Sequence, residues 1–216
     1  TNKQSRKKSM DVAEEHYNLG NEFYEDMLDP EYMQYTCAYW KDAENISQAQ
    51  QNKLKLICDK LKLKPGETVL ELGGGWGGFA RYAAEHYGVT VTSYNISKEQ
   101  VAYARSKFGD LPITMHEQDY RDADGQYDKI VSIGMFEHVG HKNFRGMMEL
   151  AEKNLKKGGL FLLHYIGSST SVRTTDPWIE KYIFPGSMLP SAAQTTKAAE
   201  GLCVLEDIHN IGAHYD

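Results

Sequence analysis

The densest chemistry in this 216-residue chain is Glu71-Leu72-Gly73-Gly74-Gly75-Trp76-Gly77-Gly78, a carboxylate two positions ahead of a glycine run. Glycine lets a backbone turn sharply and approach a ligand closely, and the amino end of a following helix offers unpaired N–H groups and a positive dipole. Taken alone the run is ambiguous. Gly73-x-Gly75-x-x-Gly78 also satisfies the dinucleotide fingerprint, and it could form no more than a tight turn. Two neighbours decide against a nicotinamide dinucleotide. The fingerprint needs an acidic residue about 20 positions on to hold the ribose, and Tyr94-Asn95 stands there instead. Glu71 beside the turn suits a cationic ammonium such as the methionine end of S-adenosyl-L-methionine (SAM), which a dinucleotide lacks.

Three further positions fit the same ligand. Asn95 can bond a sugar hydroxyl. Gln100 reaches the ribose or is simply exposed. Asp119-Tyr120 offers an acceptor for the adenine amino group and a ring for the purine face, although the same pair suits a surface turn equally.

These residues need a scaffold that brings strand ends together. From Pro65 onward short apolar runs alternate with helical patterns, the signature of βαβ units and a largely parallel sheet. Strands are expected at 68–72, 89–94, 113–117, 129–133 and 160–165, with helices at 78–86, 98–107 and 143–155. Gly88 is expected to close the first of these helices and Gly158-Gly159 the last. Ahead of them, Ser47-Gln48-Ala49-Gln50 has capping-box spacing and predicts a helix over 47–61. The fold class is therefore α/β: a doubly wound, mostly parallel, Rossmann-like sheet. Residues 1–62 are expected to form a helical and loop segment covering the cofactor site, and 63–216 the core. Loop-like serines and Pro177, Pro185 and Pro190 mark 167–200 as an inserted lid, and 204–211 is apolar enough for another strand.

Composition excludes several classes. With 41% apolar and 25% charged residues the chain reads as an ordinary globular protein, and no apolar run is long enough to span a bilayer. A net charge of −6 disfavours nucleic acid as a partner; Arg6-Lys7-Lys8 is the sole dense basic cluster, a solvated tail or a small patch for an anionic membrane. Cys37, Cys58 and Cys203 are too few and too scattered for a disulfide framework, which implies a reducing, cytoplasmic compartment. The histidines show no metal-ligand spacing, so no metal is expected. The polar, basic start without an initiating Met reads as a fragment or processed product rather than a secretory signal.

Six separated blocks resemble the cyclopropane-fatty-acid synthase family of SAM-dependent methyltransferases. They are His16-Tyr17-Asn18-Leu19-Gly20-Asn21, Leu28-Asp29-Pro30, Tyr35-Thr36-Cys37-Ala38-Tyr39-Trp40, Gly134-Met135-Phe136-Glu137-His138-Val139-Gly140, Leu162-Leu163-His164-Tyr165-Ile166-Gly167 and Tyr182-Ile183-Phe184-Pro185. The family's synthases are longer at both ends, so the resemblance implies a catalytic core. It departs at Gly74, where the family usually has Cys.

The resemblance implies a reaction and its parts. The SAM methyl becomes a methylene bridge across a cis double bond of an unsaturated phospholipid, met at the inner face of the membrane by a peripherally associated, homodimeric enzyme. Tyr35, Thr36 and Ile96 join Glu71, Gly73, Gly74, Gly75, Asn95, Gln100, Asp119 and Tyr120 as cofactor contacts. A bound bicarbonate ion would be the base, held by Cys37, Glu137, His164, the Ile166 N–H and Tyr215. Singly, His164 suits a structural histidine and Cys37 a small apolar filler; His138 is expected to point elsewhere. Two rivals stand beside this reading: a small-amine N-methyltransferase of the same superfamily, and a noncatalytic SAM- or lipid-binding module.

Overall fold

The computed structural model describes residues 21–182 and 186–215. The His16-to-Gly20 part of the first block, the basic cluster Arg6-Lys7-Lys8, and Ile183-Phe184-Pro185 lie outside the described residues.

Five strands form one sheet: β1 (Thr68–Leu72), β2 (Thr90–Asn95), β3 (Ile113–Glu117), β4 (Tyr127–Ile133) and β5 (Leu155–His164). Their order is β3-β2-β1-β4-β5 and every pairing is parallel. Between them run α3 (Gly78–Tyr87), α4 (Lys98–Phe108) and α5 (Phe144–Asn154), and α1 (Asn21–Met27) and α2 (Ile46–Leu61) precede the sheet. The doubly wound, Rossmann-like expectation holds.

Alternate residues of β1 feed two cores. Val69 packs with Leu54, Ile57 and Leu61 of α2 and Phe79 of α3 on one face. Leu70 and Leu72 pack with Phe144, Met147 and Ala151 of α5 on the other. Burying each large apolar side chain contributes about 1.5–3 kcal/mol relative to exposure, and burial on both faces explains why β1 reads as a near-continuous apolar run.

Because β2 and β4 flank β1 on opposite sides, the winding reverses there. Open sheets bind ligands outside the carboxyl ends of strands at such a switch point. Four of the chemically marked stretches emerge at that edge: Gly73 after β1, Asn95 at the end of β2, Asp119 after β3, and Glu137 after β4.

Three local expectations need correction. Asn45, not Ser47, caps α2: its side chain accepts from the Gln48 N–H at 3.0 Å, so the helix begins one residue earlier. A complete capping box appears instead at Ser191 and Gln194, opening α7 (Ala192–Ala199). Gly158-Gly159 does not cap α5, which ends at Leu155 in extended conformation and passes straight into β5. The two glycines lie where the β4–β5 register shifts, from Tyr127 opposite Leu155 to Lys129 opposite Leu160. There a Cβ on Gly159 would stand 2.7 Å from the Asp128 carbonyl oxygen.

The expected strand over 204–211 does not form. Val204, Leu205 and Ile208 are exposed, and Asp207 pairs with Lys60 on α2. Apolar content proposed a strand, but a strand needs a partner's backbone, and this stretch runs beside α2.

The stretch over 167–200, expected as a lid, carries α6 (Pro177–Tyr182) and α7. It is tied to the core where the Met188 N–H donates to the Glu137 carbonyl at 2.9 Å, and it closes on itself where the Ser168 N–H donates to the Pro190 carbonyl at 3.0 Å.

Candidate active site

One cavity of about 600 Å³ opens along the carboxyl edge of the sheet. That size suits a small-molecule site. Every position expected to contact the cofactor lines it: Tyr35, Thr36, Glu71, Gly73, Gly74, Gly75, Asn95, Ile96, Gln100, Asp119 and Tyr120. Glu137, His164, Ile166 and Tyr215 line it too, and Cys37 does not.

The glycine turn hangs from β2, where the Gly73 and Gly74 N–H groups donate to the Tyr94 carbonyl at 2.9 and 3.1 Å. Gly75 has φ +51°, and a Cβ there would meet nothing within 4 Å because it would stand in the cavity. Asn95 donates to the Gly75 carbonyl and to Gln100 Oε1, both at 2.9 Å. Gln100 is buried, which removes the exposed reading, and the pair fixes the turn against β2.

Glu71 is buried at the floor of this turn, and the Ser93 hydroxyl donates to it at 2.7 Å. Burial pushes its carboxyl up to about 7, against the lowering effect of the Ser93 hydroxyl. Asp119 is less free than the sequence suggested. Its carboxylate accepts from the Arg121 backbone N–H at 2.9 Å and from the Arg121 guanidinium at 2.8 Å. The same guanidinium lies over the Tyr120 ring, 5.0 Å from its centroid.

At the other end, Ile133 of β4 stands opposite His164 of β5. Glu137 follows on a short 3₁₀ turn, Phe136–His138. Two buried polar atoms lack partners here, Glu137 Oε2 and His164 Nδ1. Burial raises the Glu137 carboxyl, while the Ile166 N–H, donating to Glu137 Oε1 at 2.6 Å, lowers it. That N–H was expected to face an anion directly; it holds the carboxylate instead. Burial first, and then the nearby Lys53 charge, push His164 down to about 4, so its ring is neutral at neutral pH.

Tyr215 sits on a final 3₁₀ turn, Gly212–Tyr215, close enough to Cys37 and Glu137 to feel both. Burial and those two groups push its hydroxyl up to about 12. Cys37 is buried, and its thiol donates to the Ala38 carbonyl at 3.4 Å and the Ile211 carbonyl at 3.8 Å. Its thiol ties residues 29–37 to the segment just before the turn that carries Tyr215. His138, expected to point away, lines the same cavity.

The strap over 29–37 was expected as part of the covering segment and through Tyr35 and Thr36; sequence reasoning missed Met33, Gln34 and Trp76 beside them. Met33 and Gln34 line the cavity beside Tyr35 and Thr36, and Trp76 seals that end against Tyr24 and Met33. Lys53 and Gln50 hold the strap from behind. Their signal was legible, for both fall at helical spacing with Leu54, Ile57 and Leu61 on the buried face of α2.

Comparison with known proteins agrees with this geometry. The chain is 53% identical over all of its length to the cyclopropane-fatty-acyl-phospholipid synthase of Escherichia coli strain K12, spanning 56% of that protein. It is 37% identical to the probable fatty acid methyltransferase Rv3720 of Mycobacterium tuberculosis, over 98% of this chain and 51% of that one. The chain thus spans about half the length of the curated relatives it matches. Among solved structures, the cyclopropane synthase MmaA2 of Mycobacterium tuberculosis superposes with TM-score 0.81 at 30% identity, over 88% of this chain and 73% of that one. Coclaurine N-methyltransferase, bound to N-methylheliamine and SAH, gives TM-score 0.73 at 27% identity, over 83% of this chain and 56% of that one. Residues 4–216 match the family described as mycolic acid cyclopropane synthetase, and to that family the chain belongs.

Proposed function

We propose that this chain is the catalytic core of a cyclopropane-fatty-acyl-phospholipid synthase, which sets the SAM methyl carbon as a methylene bridge across a cis double bond of a phospholipid acyl chain. The observation that carries the reading is a single cavity joining the glycine turn above Glu71 to two unpartnered buried atoms, Glu137 Oε2 and His164 Nδ1. The E. coli relative named for this reaction supports it, as does the mycolic acid cyclopropane synthase CmaA1, solved with SAH and CTAB at 30% identity and TM-score 0.79 over 88% of this chain and 72% of that one.

The residues divide the work along the cavity. Glu71 would receive the ammonium of the cofactor's methionine end, Asn95 and Gln100 would hold its sugar, and Asp119 and Tyr120 its adenine. When bound, SAM supplies a methyl group activated by a sulfonium. An alkene is a weak nucleophile, so the site must keep water from an acyl chain that carries positive charge and then remove a proton as the ring closes. The lid, through Thr175, Asp176, Ile179 and Leu189, closes the cavity wall over that position.

Glu137 and His164 fit a small anion with one proton of its own. A neutral imidazole donates through one ring nitrogen, and an ionised carboxylate accepts a hydroxyl proton. Bicarbonate, when bound, would supply the base; Glu137, His164 and the Tyr215 hydroxyl would hold it. Ile166 and Cys37 act one step back, on Glu137 and on the turn that carries Tyr215.

No helix among the described residues is long and apolar enough to cross a membrane. We place the enzyme peripherally on the inner face of the membrane, as a homodimer, with the acyl chain entering beneath the lid. Trp178 and Tyr182 of α6 are exposed, and Leu189 is partly so, while Met188 is buried against the core and offers no outer surface.

An N-methyltransferase reading draws on the coclaurine N-methyltransferase likeness and on His138 in the cavity wall. One experiment separates the two. The full-length protein is incubated with SAM and unsaturated phospholipid vesicles, and lipids are analysed by mass spectrometry. A gain of one methylene with loss of the double bond supports cyclopropanation; unchanged lipid, with a methylated amine in a parallel incubation, overturns it.

A further inference from the structure

Lys53 is among the largest of the fully buried side chains, and it is a lysine. Its ammonium donates to Gln34 Oε1 at 2.6 Å and to Thr36 Oγ1 at 2.7 Å, and among the described residues no carboxylate forms an ion pair with it. Asp29 is the acid whose charge favours it, but the Asp29 oxygens accept from the Tyr32 and Gln34 backbone N–H groups, each at 2.7 Å. Taking a cation out of water without a contacting anion costs several kcal/mol as an order of magnitude. Burial accordingly pushes Lys53 down to about 7, against the opposing influence of Asp29 and Cys37.

Both acceptors of Lys53 stand on the strap, and both line the cavity, whereas Lys53 itself does not. Gln50, one turn earlier on α2, donates to the Thr36 carbonyl at 2.9 Å. On its other side the strap is pressed against the sheet edge: a Cβ on Gly134 would overlap the Thr36 methyl group. Thr36 is thus clamped between α2 and the turn that follows β4. Tyr35 and Cys37, its neighbours, lead to the cofactor end and to the Tyr215 turn.

Resting on the methyltransferase reading above, we propose that Lys53 is a positioning residue for methyl transfer. Its ammonium grips Gln34 and Thr36 from behind and fixes the strap as the wall that orients the cofactor. It does not line the cavity, so it acts through those two side chains. A methionine of similar length would fill the same volume, and the relieved desolvation offsets the two hydrogen bonds it cannot make, so stability alone gives little reason for a lysine here.

The test is Lys53→Met in the full-length protein, read three ways: melting temperature, SAM affinity by calorimetry, and kcat on unsaturated phospholipid vesicles at saturating SAM. The melting temperature is expected to hold or rise. SAM affinity and kcat are each expected to fall about tenfold or more, the equivalent of one charge-assisted hydrogen bond. Thr36→Val, which removes one acceptor, is expected to reproduce part of the loss, and the double variant to lose less than the sum of the two. Should Lys53→Met fail to fold, Lys53→Gln, which keeps a donor but loses the charge and length, decides on the same readouts. SAM affinity and kcat within twofold of native, or losses that follow a lowered melting temperature, overturn the inference. If the native protein binds SAM but leaves lipid unchanged, the lipid reading fails while SAM affinity still tests Lys53.

Discussion

The Ser93 hydroxyl on β2 donates to the Glu71 carboxylate on β1 at 2.7 Å, in the space a side chain on Gly74 would occupy. A Cβ at position 74 would overlap that hydroxyl and stand 2.8 Å from Glu71 Oε2. Position 74, where the resembled family usually carries Cys, is therefore coupled to the Glu71 carboxylate. Gly74→Cys is expected to weaken SAM binding about tenfold, an overpacking cost of about 1–3 kcal/mol. Gly74→Cys combined with Ser93→Ala, which vacates the space, is expected to recover most of it. Calorimetric titration of the four proteins checks this; native affinity in Gly74→Cys alone would show that the pair yields freely.

If Glu71 receives the SAM ammonium as proposed, SAM binding is proton-linked. With its carboxyl raised from 4.5 to about 7, the ligand-free protein keeps a proton that the unfolded chain releases. This group's contribution to stability is full below about 4.5 and is lost as pH rises through about 7. An ammonium beside the carboxylate favours the ionised form, so binding between pH 6 and 7, to order of magnitude, is expected to release protons. Titrations in two buffers of different ionisation enthalpy measure that release. Identical heats in both would place the ammonium elsewhere.

Gly75→Val is expected to abolish SAM binding and to cost about 1–2 kcal/mol of folding stability. The open space beside Gly75 is cavity, while its φ of +51° disfavours a branched residue. A bound SAM in this variant, seen by equilibrium dialysis, would remove the cofactor from the glycine turn.

Glu137→Gln, His164→Ala and Tyr215→Phe separate a base-holding cluster from a structural one. Each is expected to lower turnover by about 10²–10³ while SAM affinity changes little. Added bicarbonate is expected to restore part of the rate in His164→Ala and Tyr215→Phe. Near-native turnover in all three, or SAM affinity falling in step with rate, would make these side chains structural.

The lid predicts where lipid is met. Trp178→Ala and Tyr182→Ala remove exposed rings from α6 and are expected to lower the fraction of protein sedimenting with phospholipid vesicles without altering SAM affinity. Equal native turnover of monomeric and vesicle-bound lipid would count against entry from a membrane.

Much of this molecule was legible along the chain because its strongest signals are local. Alternating apolar runs and helical stripes located the five strands and the helices between them to within a few residues, apart from β5, which begins at Leu155 rather than 160. Parallel strands leave their carboxyl ends on one edge, so Glu71, Asn95, Asp119, Glu137 and His164 had to converge there. The tertiary structure decided what depends on a distant partner. Whether 204–211 becomes a strand depends on a neighbouring backbone, and among the described residues it has none; whether Gly158-Gly159 caps a helix or relieves a sheet depends on the Asp128 carbonyl across from it. The Ile166 N–H was bound to be near Glu137, but only packing gave it to that carboxylate. Lys53 marks the boundary between the two: its place on the buried stripe of α2 is written in residue spacing, while its acceptors, 17 and 19 positions earlier, are chosen by the fold. A buried charge takes its role from what surrounds it, and those surroundings exist only once the chain has closed.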